Sequence, residues 1–94
     1  MRLITRRSQY KPGIYVFRNF IDNDGKVSTY LYKVTSYPKE SMSYWIVESE
    51  TYSREHNRFE LTEGRYITAP FKLMDGEYCE DYILNDDEVM VELL

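Results

Sequence analysis

The feature that most constrains the fold is an Asp-Gly pair between two β-rich runs. Residues 13–21 and 27–35 are rich in valine, isoleucine, threonine and aromatic residues, and Asp24-Gly25 lies between them. Asp-Gly is a strong hairpin signal because both central residues of a two-residue type I′ turn need a positive φ. The sequence therefore predicts an antiparallel hairpin in this part of the chain.

A two-residue turn at that pair also fixes the register of the predicted hairpin. In this register Phe17 faces Tyr32 on one side of the sheet, and Arg18 faces Leu31 on the other. The face of Phe17, which also carries Tyr15, is the better candidate for the core. A slip of one residue would exchange the two faces.

Four other segments of the chain have the patterns of short strands. Residues 44–47 are apolar without alternation, which is typical of a strand covered on both sides, and we expect the central strand there. Residues 65–69 and 71–74 have β-rich patterns with a proline between them. Residues 88–93 near the C-terminus also fit a strand.

Helix signals are scarce. With Asp75 as N-cap, residues 76–84 place their apolar side chains on one helical face, and Asn85 is a reasonable stop. The same residues also fit a strand, because their side chains alternate with a period of two. Residues 51–61 are a second, weaker helix candidate that also fits a loop.

Together these patterns predict one domain over residues 1–94. We expect a mainly β fold, a small antiparallel SH3-like barrel or roll of five to six strands with one or two short helices. No window reaches the roughly 18 apolar residues of a membrane span, and no signal peptide is visible. A single cysteine, Cys79, forms no internal disulfide. These features predict a cytoplasmic protein without a membrane partner.

Catalytic, cofactor and metal sites have little support in the sequence. His56, the only histidine, lies in a polar run, and a catalytic nucleophile needs a base beside it. One histidine and one cysteine cannot supply the usual four zinc ligands. None of the four glycines lies in a phosphate-binding loop. We therefore expect a protein that is not an enzyme and that has no cofactor and no metal.

The most unusual stretch is DGEYCEDYILNDDE, residues 75–88, which carries seven acids and no base. The chain has a net charge of −4, but residues 1–47 are basic on balance and residues 48–94 are strongly acidic. Ten tyrosines are more than a domain of this size can fully bury, and exposed tyrosine rings favour binding surfaces. The predicted partner-binding residues are Asp75, Glu77, Glu80, Asp81, Asp86, Asp87, Glu88, Tyr78 and Tyr82.

Such acids can occupy the Lys/Arg groove of a nucleic-acid enzyme in place of phosphates. In composition the chain resembles the small acidic, tyrosine-rich inhibitors that phages encode against bacterial defence nucleases. The prediction is a small acidic inhibitor or adaptor, a DNA mimic, whose partner is a basic protein such as a nucleic-acid enzyme. The same acids are also explained by a solvated edge that keeps strands from aggregating.

The main alternative is a small module that itself binds nucleic acid. Its basic N-terminal half would contact phosphates, and the aromatic residues of the hairpin would stack on bases. The basic residues in this alternative are Arg2, Arg6, Arg7 and Lys11.

Overall fold

The computed structural model describes residues 1–41, 44–61, 66–67 and 78–93. The strands of this part of the chain are β1 (Arg2–Leu3), β2 (Tyr15–Ile21), β3 (Val27–Val34), β4 (Lys39–Ser41), β5 (Tyr44–Val47), β6 (Ser49–Ser53), β7 (Arg58–Leu61), β8 (Tyr66–Ile67) and β9 (Tyr78–Leu84). A short 3-10 helix spans Arg7–Gln9, and one α-helix, α1, spans Asp86–Leu93.

The described strands form two antiparallel sheets. The larger sheet has six strands in the order β1-β9-β2-β3-β6-β7, and the smaller has the order β4-β5-β8. The prediction of a mainly β, antiparallel fold is confirmed. The larger sheet does not close into a barrel, because β1 and β7 lie at its two ends. The SH3-like barrel is therefore not confirmed.

The predicted hairpin is formed by β2 and β3, but its register differs by one residue from the prediction. Phe17 is opposite Leu31. The reason is a three-residue loop closed by the Asp22 N–H, which donates to the Lys26 carbonyl at 3.0 Å. Gly25 takes the positive φ of 80° that ends this type of loop. The side chain of Asp22 accepts two further backbone N–H groups within the loop.

The two faces of the larger sheet pack against different layers. On one face, Val16 and Val34 pack with Ile4, Tyr10 and Val47. Val16 is completely buried, whereas Phe17 on the other face is only half-buried. The choice of the Phe17 face as the better core face is therefore wrong, since the face of Val16 is the more deeply covered.

Helix α1 covers part of the opposite face. Val89 of α1 packs with Leu31 and Leu84, and half-buried aromatic side chains of β2, β6 and β7 surround this second cluster. In the smaller sheet, Ile46 and Val47 of β5 are both buried. Residues 44–47 are thus the middle strand of the smaller sheet.

The helix and the strand predicted near the C-terminus are interchanged in the structure. The helix expected over residues 76–84 is wrong where the structure describes it, because Tyr78–Leu84 is a strand paired with β2 along its whole length. The strand expected over residues 88–93 is also wrong, because these residues lie in α1. Asn85 begins this helix instead of ending one. Its Oδ1 accepts the Glu88 N–H at 2.9 Å, and a Glu88 carboxylate oxygen accepts the Asn85 N–H at 3.1 Å.

Three other segments differ from the predictions or fall wholly or partly outside the described residues. Residues 51–61 belong to a hairpin of β6 and β7, whose turn places Asn57 at a φ of 53°. The helix expected there is wrong, since cross-strand pairing outweighs the weak helical pattern. Of residues 65–69, the structure describes a strand at Tyr66–Ile67. Residues 71–74 lie outside the described part of the chain.

Candidate functional site

The structure places the acids of residues 75–88 in different environments. Asp75 and Glu77 lie outside the described residues. Asp81 is buried in the sheet, and Glu80 lies on the other face of the same strand. Asp86, Asp87 and Glu88 form the first turn of α1. Among the described residues, the predicted acids therefore do not all lie on one surface.

Asp81 is buried inside the sheet, with 0% of its surface exposed. Arg18, its neighbour on β2, donates Nε–H to Oδ1 at 2.6 Å and Nη2–H to Oδ2 at 2.7 Å. The hydroxyl of Tyr10 donates to the same Oδ2. A buried carboxylate needs such partners, because burial removes its hydration. The assignment of Asp81 to a partner-binding surface is wrong, since no partner can reach it.

Glu80 lies on the opposite face of β9, between Tyr78 and Tyr82. The Tyr78 hydroxyl donates to Oε1 at 2.6 Å, and the Tyr82 hydroxyl donates to Oε2. The bonds from Tyr78 and Tyr82 lower the pKa of the Glu80 carboxyl, and the same bonds raise the pKa of both tyrosines. The carboxylate is therefore ionised at neutral pH and held in one position. The side chain of Tyr78 remains 51% exposed.

Strands β2 and β3 extend this face of β9 into a patch of three rows, which we call the tyrosine patch. The middle row is polar, because Glu80 is opposite Asn19 and Asn19 is opposite Thr29. The flanking rows are Tyr78, Ile21 and Val27 on one side, and Tyr82, Phe17 and Leu31 on the other. One carboxylate thus lies at the end of a polar row between two apolar rows.

A shallow cavity of about 170 Å³ adjoins the tyrosine patch. Phe17, Thr29, Leu31 and Tyr52 line it together with Tyr30, Thr51, Arg54 and Glu92. Sites for small molecules usually have volumes of about 300 to 1,000 Å³. The cavity is therefore smaller than a usual site for a small molecule.

The acids of α1 stabilise the start of the helix. Asp86 and Asp87 are exposed in its first turn, where negative charge interacts favourably with the helix dipole. Glu88 is half-buried and bonds the amino group of Met1 and the Asn85 N–H, and these contacts lower the pKa of its carboxyl. Asp86 and Asp87 are thus the acids of this helix turn that are open to a partner.

The basic residues of the alternative site are all exposed. Arg6 and Arg7 lie at the 3-10 helix, and the guanidinium carbon of Arg7 lies 4.3 Å from the ring centroid of Trp45. Of the hairpin aromatics, Tyr30 is the exposed one, and it stacks on Tyr32 with ring centroids 5.9 Å apart. These side chains are accessible, but part of the charge of Arg7 is already engaged by the indole ring.

Sequence reasoning missed Asn19 and Thr29 of the tyrosine patch. Their place beside Glu80 depends on the pairing of β2 with β9, which are far apart in the chain. The alternation in residues 78–84 was the available signal, because a strand there needs a partner strand. Arg18 was a second signal, since a charge in an apolar strand needs an acid nearby.

Comparison with protein-family models, curated proteins and solved structures found no match to this chain. Among the described residues, no helix is long and apolar enough to cross a membrane. The same residues contain no group of three or more His, Cys, Asp or Glu side chains that could hold a metal ion.

We expect the reaction of Cys79 with iodoacetamide at about pH 8 to be slower in the folded protein than in the protein unfolded in urea, by a factor of at least about 100. Burial raises the pKa of this thiol to about 12, whereas a free thiol ionises at about 8.5. Because the unfolded thiol ionises first, this group also lowers the free energy of unfolding as the pH rises above about 8.5. Mass spectrometry of timed samples measures the rate, and equal rates in the two states would contradict the burial.

Proposed function

We propose that the protein is a non-enzymatic binding protein, an inhibitor or adaptor that presents carboxylates and tyrosine rings to a basic protein partner. The observation that carries this proposal is the ionised carboxylate of Glu80, held between the hydroxyls of Tyr78 and Tyr82 on a partly exposed sheet face. A side chain that is already fixed loses little conformational freedom when a partner binds.

The charge distribution supports a basic partner. Residues 78–93 contain no lysine or arginine. Four residues of β9 follow Glu80, so roughly 13 Å of strand lies between Glu80 and Leu84, and the acids of α1 follow two residues later. A surface of one sign of charge attracts a partner of the opposite sign and accelerates association.

The partner class that we propose is a nucleic-acid enzyme, with these acids in its groove in place of phosphates. A phage-encoded inhibitor of a cytoplasmic defence nuclease is the most specific form of this proposal. The exposed Asp86 and Asp87 support it together with Glu80, because they present carboxylates beyond the end of β9. Asp81 takes no part, since it is fully buried.

Reversing two of the accessible acids tests the proposal. We expect Glu80→Lys with Asp87→Lys to weaken the binding of a fluorescent oligoarginine peptide at least tenfold at low salt, because attraction becomes repulsion. Fluorescence anisotropy gives the dissociation constant, and that of the wild type should rise steeply with salt. The matched control is Glu40→Lys with Glu55→Lys, which makes the same charge change at two exposed acids outside the site. If both variants bind equally, the acids are only a solvated edge.

The same assay distinguishes the nucleic-acid-binding alternative. Labelled single-stranded and double-stranded oligonucleotides should not bind the wild type, because the accessible acids repel phosphates. Binding of DNA that is lost when Arg6, Arg7 and Lys11 are replaced by alanine would overturn the proposal in favour of that alternative.

A further inference from the structure

We propose that the carboxylate of Glu80 binds the guanidinium group of an arginine of the protein partner through a bidentate hydrogen bond, with Tyr78 and Tyr82 on either side. This inference rests on the proposed function and adds the side chain that is recognised. It assigns the main contact to the sheet face and not to the acids of α1.

The hydrogen bonds of Glu80 leave room for this contact. A carboxylate has about four acceptor positions, two on each oxygen. Tyr78 occupies one position on Oε1 and Tyr82 occupies one on Oε2. One acceptor position therefore remains on each oxygen. The planar fork of a guanidinium donates one N–H to each oxygen of a carboxylate, whereas an ammonium group acts as a single point charge.

Glu80 is also available to an external cation. Three other carboxylates of the described residues have lysine or arginine partners: Asp81 with Arg18, Glu48 with Lys39, and Glu60 with Arg58. The described part of the chain provides no ion pair to Glu80, whose polar contacts come from two neutral hydroxyls. Because these hydroxyls are neutral, they leave the negative charge of the carboxylate uncompensated.

The surroundings of Glu80 suit arginine. Asn19 lies directly opposite on β2, where cross-strand Cβ atoms are about 5 Å apart, and its side-chain amide has a carbonyl oxygen that can accept a further guanidinium N–H. Tyrosine rings on both sides of the carboxylate provide flat surfaces, on which a weakly hydrated guanidinium stacks better than a strongly hydrated ammonium.

A titration followed by NMR tests this assignment with three capped tripeptides, Gly-Arg-Gly, Gly-Lys-Gly and Gly-citrulline-Gly. We expect the arginine peptide to shift the backbone amides of Asn19 and Glu80 and the ring signals of Tyr78 and Tyr82. Its dissociation constant should be at least about 5-fold lower than that of the lysine peptide, and citrulline, which is neutral, should cause no shifts.

Conservative variants of two acids complete the experiment. Glu80→Gln keeps the shape of the side chain and should abolish the shifts, while Glu40→Gln should leave them unchanged. Equal affinity for arginine and lysine, or normal binding by Glu80→Gln, would overturn the arginine contact. If the reversed double variant loses oligoarginine binding and the control does not, while the tripeptide leaves the tyrosine patch unshifted, this inference fails and the proposed function stands. If oligoarginine binds the reversed and control variants equally, the proposed function fails as well.

Discussion

Replacing Asp81 with alanine should lower the free energy of unfolding by about 3–5 kcal/mol, because the buried guanidinium of Arg18 loses the carboxylate that compensates its charge. Arg18 is itself buried and makes two hydrogen bonds to this carboxylate. The hydroxyl of Tyr10, a residue that is 1% exposed, loses its hydrogen bond to Asp81 at the same time. Urea denaturation followed by tyrosine and tryptophan fluorescence measures the change.

A triple variant separates the charge effect from the loss of packing. Arg18→Met, Asp81→Leu and Tyr10→Phe together remove the ionic and polar groups but keep similar volumes. Replacement of a buried ion pair by apolar side chains is often neutral or stabilising. The triple variant should therefore recover most of the stability that Asp81→Ala loses. A loss below about 1 kcal/mol for Asp81→Ala would show that the guanidinium does not depend on this carboxylate.

The second large loss of stability is expected from a substitution at Leu84, the last residue of β9. Leu84→Ala should lower the free energy of unfolding by about 2–4 kcal/mol, because truncation of a buried leucine removes apolar contacts and leaves a cavity. Leu84 is 5% exposed and packs with Leu31 of the sheet and Val89 of α1. The substitution should also reduce the helical circular dichroism signal, since it removes part of the surface that holds α1.

The control for Leu84 is the same substitution at an exposed leucine. Leu61 on β7 is 81% exposed, and Leu61→Ala should change stability by no more than about 0.5 kcal/mol. Chemical denaturation of both variants gives the comparison. Similar losses in the two variants would mean that Leu84 contributes no more than a surface residue.

Local sequence signals were sufficient for the elements whose contacts are local. The hairpin of β2 and β3 follows from its Asp-Gly pair, and strand β5 follows from a short apolar run. The register was missed because Asp24-Gly25 fits both a two-residue and a three-residue loop. The side chain of Asp22, which accepts backbone N–H groups inside the loop, favours the longer one.

Elements with distant partners could not be assigned from local patterns. Residues 78–84 fit the predicted helix and, as an alternative, a strand, and pairing with β2 decides for the strand. Residues 88–93 fit a strand until the cap at Asn85 is recognised as a helix start. Asp81 looked like a surface acid beside Glu80, because only strand pairing reveals that neighbouring residues of β9 point to opposite faces.

The position of β9 between β1 and β2 has a consequence for how the chain folds. Residues 78–84 pair with residues 15–21, so the loop between them must close before these contacts are gained. Such distant pairing slows folding, and we expect the β2–β3 hairpin, whose loop is short, to form before it. The middle row of the tyrosine patch is complete only when β9 has docked. Under the proposed function, the contact to Glu80 therefore requires the pairing of β9 with β2, and a chain without this pairing would have the hairpin but not the proposed binding surface.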